Sequence, residues 1–417
     1  MITDRSPTAR PSRARPRRKH ARKRPPEGAA RATDPALAAT DAVALDADPS
    51  GGAEAAAIGM GPDEAPPPPG VALPSPAQPG VPGVTALRRE RAAEELAAEI
   101  AATARKLVRD HASVADLRLV SAALKEMRYA FRVFAPYRRV RKVSIFGSAR
   151  TPEGHPAYGH AHEFARRLAD QGFMVITGGG PGIMRASQAG SGRQRSFGIN
   201  IRLPFEQAPN EFIHRDPKLV NFKYFFTRKL LFVKEADAIA LFPGGFGTHD
   251  EGFESLTLVQ TGKSRPVPIV FIDAPGGEYW RTWQRYVEDH LLAEGLISAA
   301  DMRLFKVTDD LDHAIEEITH FYSRYHSSRY VGDRLILRLR SRIADDALAL
   351  LNAEFADIVA QGDIHQRAAL AEEGGEPELG SLPRLVFHFT RRHFGRLRML
   401  IDAVNDAPAA APEPPPH

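Results

Sequence analysis

The segment with the clearest capacity for chemistry spans residues 237–254 and reads DAIALFPGGFGTHDEGFE. An apolar run leads into three closely spaced glycines and then into polar residues, which predicts a buried strand, a glycine turn and a helix start. Glycines let a backbone pass close to a ligand, and the N–H groups of a helix N-terminus favour an anion such as phosphate. Thr248 is also a predicted N-cap that Glu251 would complete as a capping box, so a purely structural reading explains the same spacing.

Two further glycine turns follow predicted strands, Gly147-Ser148 after the apolar run 143–146 and residues 178–182 after 173–177. In a doubly wound sheet, ligands bind beyond the carboxyl ends of the strands, where the strand order reverses. The three turns therefore predict one crevice lined by backbone donors. None of them matches the GxGxxG or GxxxxGK[ST] pattern, so a dinucleotide and nucleoside triphosphate hydrolysis are both disfavoured. The pattern indicates a site for a monophosphate and a sugar.

Arg228 and Lys229 lie on the helix that is predicted to precede the central strand. A cation at this place could reach a phosphate on the neighbouring turn, and the planar guanidinium pairs with two oxygens at once. The alternative interpretation is an ordinary pair of surface cations.

The composition is that of a globular chain with unusual ends. The 417 residues include no Cys, which excludes disulfides, thiolate catalysis and Cys-ligated zinc and fits a reducing compartment, so we expect a cytoplasmic protein. No apolar run approaches the ~20 residues of a membrane span. The net charge of +5 arises from a basic cluster within residues 1–24, and the remainder of the chain is slightly acidic.

The patterns predict an α/β fold: a doubly wound, parallel, Rossmann-like sheet with helices on both faces, an N-terminal helical extension and a small C-terminal α+β appendage. The predicted regions are a disordered basic and Pro/Ala-rich tail (1–84), the helical extension (85–139), the nucleotide-binding catalytic domain (140–326), the appendage (330–405) and a second disordered tail (406–417). The basic tail is expected to be a solvated segment, and contact with nucleic acid is the alternative.

Helices are predicted over 222–235 and 311–325 by their apolar spacing. In the appendage, which should follow a β-α-β-β-α order, a helix is predicted over 343–359 and a strand over 364–370.

The two glycine motifs resemble those of a known family. Residues 178–184, GGGPGIM, look like the GGGxxGxM turn of the "lonely guy" (LOG) proteins, the cytokinin-activating phosphoribohydrolases long mislabelled as lysine decarboxylases. Residues 243–251 fit the family's PGGxGTxxE signature at every fixed position, and Arg228-Lys229 stands at its RK position. The resemblance covers about 140–325.

The resemblance implies hydrolysis of the N-glycosidic bond of a nucleoside 5′-monophosphate, of a purine, a pyrimidine or a cytokinin, to free base and ribose 5-phosphate. It implies that Arg228 and Glu251 carry catalysis and that neither a metal nor a cofactor is needed. A fixed carboxylate could stabilise positive charge on the ribose or orient the attacking water, and both roles stay open. The substrate-binding residues that it implies are Gly147, Ser148, Gly179, Gly180, Gly182, Met184, Lys229, Gly244, Gly245, Gly247 and Thr248.

Two departures from the family pattern concern the substrate. Arg185 stands where many relatives have Glu, which places a cation near the base and leaves the preferred base, including a cytokinin, open. His249-Asp250 stands where relatives often have Leu-Glu, and we expect His249 to be an inert residue of the first helical turn and Glu254 to lie on the helix surface.

Two functions of different class remain at this stage. The first is an enzyme that acts on an AMP-like nucleoside 5′-monophosphate, and the alternative is a non-catalytic nucleotide-binding regulatory module. Glu251 favours the enzyme, because a module that only binds has less need of that carboxylate. Amino-acid decarboxylation is disfavoured because no lysine motif for pyridoxal phosphate is found. The resemblance also implies a homodimer or a higher homo-oligomer, and no contact with a membrane is expected.

Overall fold

The computed structural model of the protein describes residues 84–201, 208–373 and 376–410, without the side chains of 84–89 and 377. The tail predicted for 1–84 therefore lies almost wholly outside the described residues, as does most of the tail predicted for 406–417. None of the described helices combines the length and the apolar character that a membrane span requires.

Two helices form the N-terminal extension, α1 (Val84–Arg109) and α2 (Val114–Phe134). Helix α2 starts at a capping box, because the Ser113 hydroxyl accepts from the Asp116 N–H while the Asp116 carboxylate accepts from the Ser113 N–H. Its last turns are buried against the sheet through Ala130 and Phe134. Helix α1 does not cover the core, since its described side chains are almost all exposed.

The central domain is built on seven parallel strands in the order β4-β3-β2-β1-β5-β6-β7. The strands are β1 (Lys142–Phe146), β2 (Met174–Thr177), β3 (Ser196–Ile201), β4 (Leu219–Phe222), β5 (Ala238–Leu241), β6 (Ile269–Ile272) and β7 (Phe305–Thr308). The helices between them are α3 (Pro156–Asp170), α4 (Ile183–Ser191), α5 (Phe225–Glu235), α6 (Phe246–Gln260) and α7 (Tyr279–Tyr286), with α8 (Leu311–Phe321) after the last strand.

Successive strand residues point to opposite faces of the sheet, so each strand contributes to two cores. Ile239 and Leu241 of β5 pack in one core with α2 and α5, whereas Ala238 and Ala240 pack in the other with α3, α4 and α8. Short, fully apolar strands suit this burial on both sides. The predicted doubly wound α/β fold with helices on both faces is confirmed.

A second, four-stranded antiparallel sheet follows in the order β10-β11-β9-β8. Its elements are β8 (Tyr325–Val331), β9 (Arg334–Leu339), α9 (Asp345–Glu354), β10 (Val359–Arg367), β11 (Arg384–Phe389) and α10 (Phe394–Asp406). They form their own apolar core, which includes Phe355, Phe387 and Leu400. Ala409 bridges to Ile343, so the first residues of the predicted C-terminal tail pair with the rest of this region.

Four predicted elements are corrected. The helix predicted over 222–235 begins only at Phe225, and an unpredicted edge strand, β4, precedes it. The helix predicted over 311–325 ends at Phe321, and Tyr325 opens β8. The predicted boundary at 330 therefore lies inside a strand, and the appendage has a β-β-α-β-β-α order.

The other two corrections concern the helix predicted over 343–359 and the strand over 364–370. The helix is limited to Asp345–Glu354, and the strand is Val359–Arg367. Val359, which the predicted helix included, opens β10 instead.

Candidate active site

The three predicted glycine turns meet at one edge of the sheet. Strand β1 pairs with β2 on one side and with β5 on the other, and the strand order reverses between β1 and β5. The Ser148 N–H donates to the Pro243 carbonyl at 3.1 Å, and the Ile183 N–H donates to the Ser148 carbonyl at 3.0 Å. The turn after β1 is thus hydrogen-bonded to the turns after β2 and β5, at the switch point where α/β sheets bind ligands.

Two glycines are required by the protein itself for this convergence. Gly182 has a positive φ of 64°, and a Cβ there would lie 2.3 Å from the Ser148 carbonyl oxygen. A Cβ on Gly244 would lie 2.1 Å from the Thr248 hydroxyl. A larger residue at either position would push the turns apart.

Gly245 and Gly247 differ from these, because added Cβ atoms would meet nothing within 4 Å. Gly245 has an ordinary φ of −87°, and Gly247 lies in the first turn of α6. The fold therefore places no steric demand for glycine at either position. Open space beside a backbone at a helix N-terminus is what an approaching ligand needs.

The turn after β2 is held by a residue from a distant loop. The Asn210 side-chain amide donates to the carbonyls of Gly179 at 3.0 Å and Gly180 at 2.9 Å, and to the Gln188 side chain at 2.7 Å. Asn210 is buried. It ties the turn to the loop after β3 and so fixes the position of both carbonyls.

Arg228 lies beside this same turn. A Cβ on Gly178 would lie 2.7 Å from one terminal nitrogen of the Arg228 guanidinium. It would also lie 2.7 Å from Met184 Sδ. A Cβ on Gly180 would also meet the Met184 methyl group at 2.8 Å. The Arg228 Nε donates to the Ile199 carbonyl at 2.9 Å, which anchors the guanidinium to β3. Arg228 and Met184 are thus both packed over the GGG turn.

The capping box predicted for Thr248 and Glu251 is wrong. Helix α6 begins at Phe246, its N-cap is Gly245, and no side chain caps it. Thr248 lies inside the first turn, where its N–H donates to the Gly245 carbonyl at 3.0 Å. The extended Gly245 starts the helix three residues earlier than a Thr248 cap allows, so the Glu251 side chain is not used in capping.

Glu251 is instead a buried carboxylate in the second turn of α6. Its side chain belongs to a residue only 8 % exposed, and its Oε2 has no hydrogen-bond partner among the described residues. Burial raises the pKa of Glu251 from its ordinary 4.5 to about 7, although the nearby Lys229 and Arg228 cations act in the opposite direction. An incompletely partnered carboxylate of this kind is typical of a functional site.

Lys229 points to acidic residues of α6. Its Nζ lies 2.8 Å from Asp250 and 2.8 Å from Glu254, and its side chain is largely buried. Lys229 was predicted to bind substrate, and this stays a prediction beside the ion pairs. Glu254 was expected on the helix surface, and its side chain is partly exposed, with one carboxylate oxygen buried next to the Lys229 ammonium. The pairs connect α5 to α6 next to Glu251.

Arg185 also has protein partners. Its guanidinium bonds to Glu211 at 2.6 Å, to Glu153 at 2.5 Å and to the Tyr158 hydroxyl at 2.6 Å. It thereby joins the loops that follow β1 and β3. The cation that the sequence placed near the base is neutralised by two carboxylates.

His249, which was expected to be inert, has a hydrogen-bond partner at the start of α7. Its Nε2 is 2.7 Å from the Tyr279 hydroxyl, and that hydroxyl donates to the Gly244 carbonyl. Burial lowers the pKa of His249. Neither Tyr279 nor Asn210 was found from the sequence, because each follows a different strand and carries no local motif. Within the described ranges, no three His, Asp or Glu side chains converge as metal ligands.

Comparison with known proteins finds similarity over the α/β domain. A family model described as "Possible lysine decarboxylase" matches residues 182–318. The probable cytokinin riboside 5'-monophosphate phosphoribohydrolase LOG4 of Oryza sativa subsp. japonica is 25 % identical over 185 residues, which are 43 % of this chain and 77 % of that protein. The cytokinin riboside 5'-monophosphate phosphoribohydrolase of Rhodococcoides fascians is 35 % identical over 91 residues, 22 % of this chain and 44 % of that protein.

Two solved structures are similar to part of this chain at low sequence identity. The molybdenum cofactor binding protein of Rippkaea orientalis is 15 % identical with a TM-score of 0.31, covering 43 % of this chain and 94 % of that one. DNA processing protein A of Helicobacter pylori is 17 % identical with a TM-score of 0.30, covering 43 % and 80 %. At these TM-scores the likeness carries no argument about function.

The fold and the site together define a Rossmann-like α/β domain with a glycine-lined crevice at its switch point. The family model and the curated relatives confirm the resemblance that the two glycine motifs predicted. The α/β domain is thus similar to the LOG proteins in its two glycine motifs and over residues 182–318.

Proposed function

We propose that the α/β domain hydrolyses the N-glycosidic bond of a nucleoside 5′-monophosphate. The curated relatives are named for cytokinin riboside 5'-monophosphates, and we extend the substrate class to ordinary nucleotides such as AMP. Water would add to the anomeric carbon of the ribose while the bond to the base nitrogen breaks. The bonding electrons and one proton from water go to the base, so the products are free base and ribose 5-phosphate.

The observation that carries this proposal is the buried carboxylate of Glu251 in α6, whose Oε2 has no hydrogen-bond partner among the described residues and whose pKa is affected by the charges of Lys229 and Arg228. Cleavage of the bond builds positive charge on the ribose, and a carboxylate held in a dry site stabilises that charge strongly. The same oxygen is able to accept a proton from the attacking water. A site that only binds nucleotide gains nothing from an incompletely partnered carboxylate, whose burial is unfavourable.

The remaining residues would bind and orient the substrate. The N–H groups at the start of α6 and the Thr248 hydroxyl would hold the phosphate, because a helix N-terminus carries a partial positive charge. Arg228 would hold a phosphate or ribose oxygen in register from the opposite turn. Met184 and Ser148 line the same crevice near the ribose and base.

The test is a substrate screen. The full chain is incubated with AMP, GMP, CMP, UMP and isopentenyl-AMP, and free base is measured by chromatography, with Glu251→Gln as the matched inactive control. We expect base release from at least one nucleotide by the wild-type chain. Tight nucleotide binding by calorimetry without any base release, in protein shown to be folded, would favour the binding module instead.

We also propose that the chain forms a homodimer or a higher homo-oligomer. Phe225, Phe226 and Leu230 on α5 and Phe246 and Phe253 on α6 are all exposed, and exposed apolar patches of this kind mark interaction surfaces. Light scattering after size exclusion measures the mass directly, and a monomer at micromolar concentration would contradict this proposal.

A further inference from the structure

Two hydrogen bonds in series connect helices α6 and α7 to the turn after β5. They run from His249 in the first turns of α6, through the Tyr279 hydroxyl at the start of α7, to the Gly244 carbonyl. The Tyr279 ring packs edge-on against Trp280 with centroids 4.8 Å apart, and Trp280 is fully buried. The hydroxyl is therefore held by a rigid support.

The acceptor at one end of this series, the Gly244 carbonyl, determines which group donates in each hydrogen bond. A carbonyl oxygen only accepts, so the Tyr279 hydroxyl donates to Gly244 and its oxygen accepts from His249. The proton on His249 consequently lies on Nε2. This gives Tyr279 a complete set of partners, and its hydroxyl has a single orientation.

The Tyr279–Gly244 hydrogen bond also sets the direction of the Gly245 N–H. The Gly244–Gly245 peptide is trans, so its N–H points away from its carbonyl. With the Gly244 carbonyl held towards Tyr279, the Gly245 N–H is directed to the opposite side. No described residue accepts from the N–H groups of Gly245, Phe246 and Gly247, as is usual at a helix start.

We propose that Tyr279 is a positioning residue for the anion-binding turn: its hydroxyl sets the Gly244–Gly245 peptide so that the Gly245 N–H faces the phosphate of the substrate. The inference rests on the proposed function for the identity of the substrate. It does not rest on turnover, because the binding of phosphate alone reports the orientation of the peptide. Tyr279 itself does not touch the reacting atoms.

The experiment compares Tyr279→Phe with Tyr286→Phe, which removes the same atom from the same helix. Tyr286 is exposed, and its hydroxyl forms no hydrogen bond to a described residue. Calorimetry with inorganic phosphate and with ribose 5-phosphate gives binding without turnover. For Tyr279→Phe we expect the Kd of both anions and the KM for AMP to rise about threefold to tenfold, the effect of one hydrogen bond, with kcat nearly unchanged.

Free adenine provides the internal control, because it does not contact the turn and its inhibition constant should not change. A general loosening of the site would weaken adenine as well and would overturn the proposal. Equal effects of Tyr279→Phe and Tyr286→Phe, or an unchanged Kd for both anions, would overturn it too, as would a wild-type chain that binds neither anion. Absence of base release with intact, Tyr279-dependent anion binding would instead refute only the proposed function.

Discussion

Replacing Glu251 by Gln should remove activity and at the same time stabilise the folded protein. The side chain keeps its shape but loses its charge, and burial holds the pKa of the carboxyl at about 7 rather than 4.5. One pKa unit corresponds to about 1.4 kcal/mol, so ionised Glu251 opposes folding by about 3 kcal/mol at pH 7–8. Gln does not carry this cost, and the variant should gain about that amount.

The pH dependence has a definite sign. A carboxyl whose pKa is raised on folding binds its proton more tightly in the folded state, so wild-type stability falls as the pH rises from about 4.5 to about 7. The difference between Glu251→Gln and wild type should therefore be small below pH 4.5 and reach its full size above pH 7. Denaturant unfolding of both proteins between pH 4 and 8 measures this difference without any substrate.

Turnover should follow the same ionisation. If the carboxylate is the active form, only about 1 % of the free enzyme carries it at pH 5, so kcat/KM should fall about 100-fold from pH 8 to pH 5. Asp250→Asn, at the exposed neighbouring position, is the matched control and should not show the growth in stability difference between pH 4.5 and pH 7 that Glu251→Gln shows. A stability difference that does not change between pH 4.5 and pH 7, or a destabilised Glu251→Gln, would refute the argument from burial.

Further predictions concern other parts of the chain. Gly247→Ala should raise the free energy of unfolding by up to about 1 kcal/mol, since the added Cβ meets nothing within 4 Å. The same change should weaken nucleotide binding measured by calorimetry, and unchanged binding would show that the turn is not part of the site. Arg228→Ala should weaken both nucleotide binding and base release, and a variant with wild-type kinetics would contradict its role. Glu373→Gln should lower the free energy of unfolding by about 3–5 kcal/mol, because it removes the carboxylate partner of the buried Arg384 and leaves Arg338 paired with Glu376 alone. The exposed neighbour Glu372→Gln is its control, at about 0–1 kcal/mol.

The Glu373 prediction also has a pH signature. Burial by itself would raise the pKa of Glu373, but the hydrogen bonds from Arg384 and Arg338 hold it below its ordinary 4.5. The stability that this cluster contributes is thus present above about pH 4.5 and is lost as the pH falls through the lower, folded-state pKa. Unfolding of wild type and Glu373→Gln should converge in acid, and a difference that persists unchanged at pH 2 would contradict the ion-pair argument.

The parts of the site that could be predicted from sequence are those that depend only on neighbouring residues. Glycine turns after short apolar runs mark the carboxyl ends of parallel strands, and such ends always lie at the same edge of a sheet. The turns at Gly147, Gly182 and Gly244 were therefore expected to meet, and they do. The position of Arg228 beside the GGG turn follows from the same rule.

Predictions from local patterns were wrong where the same few residues fit two different secondary structures. The edge strand β4 has four residues and one neighbour, so its apolar spacing merges with that of α5. Thr248 and Glu251 have the spacing of a capping box, but Gly245 starts the helix earlier and leaves the carboxylate free. In both cases the outcome depends on backbone geometry that residue types alone do not specify.

The sequence by itself determined the parallel sheet, the convergence of the glycine turns and the residues that could act there, because periodicity and turn chemistry are properties of neighbouring residues. Only the tertiary structure decided that Glu251 is buried with a pKa near 7, that Lys229 and Arg185 are neutralised by acidic partners, and that Tyr279 reaches the Gly244 carbonyl. Burial, charge pairing and contacts between distant segments depend on which strands are adjacent, and strand adjacency is set by the packing of the whole domain.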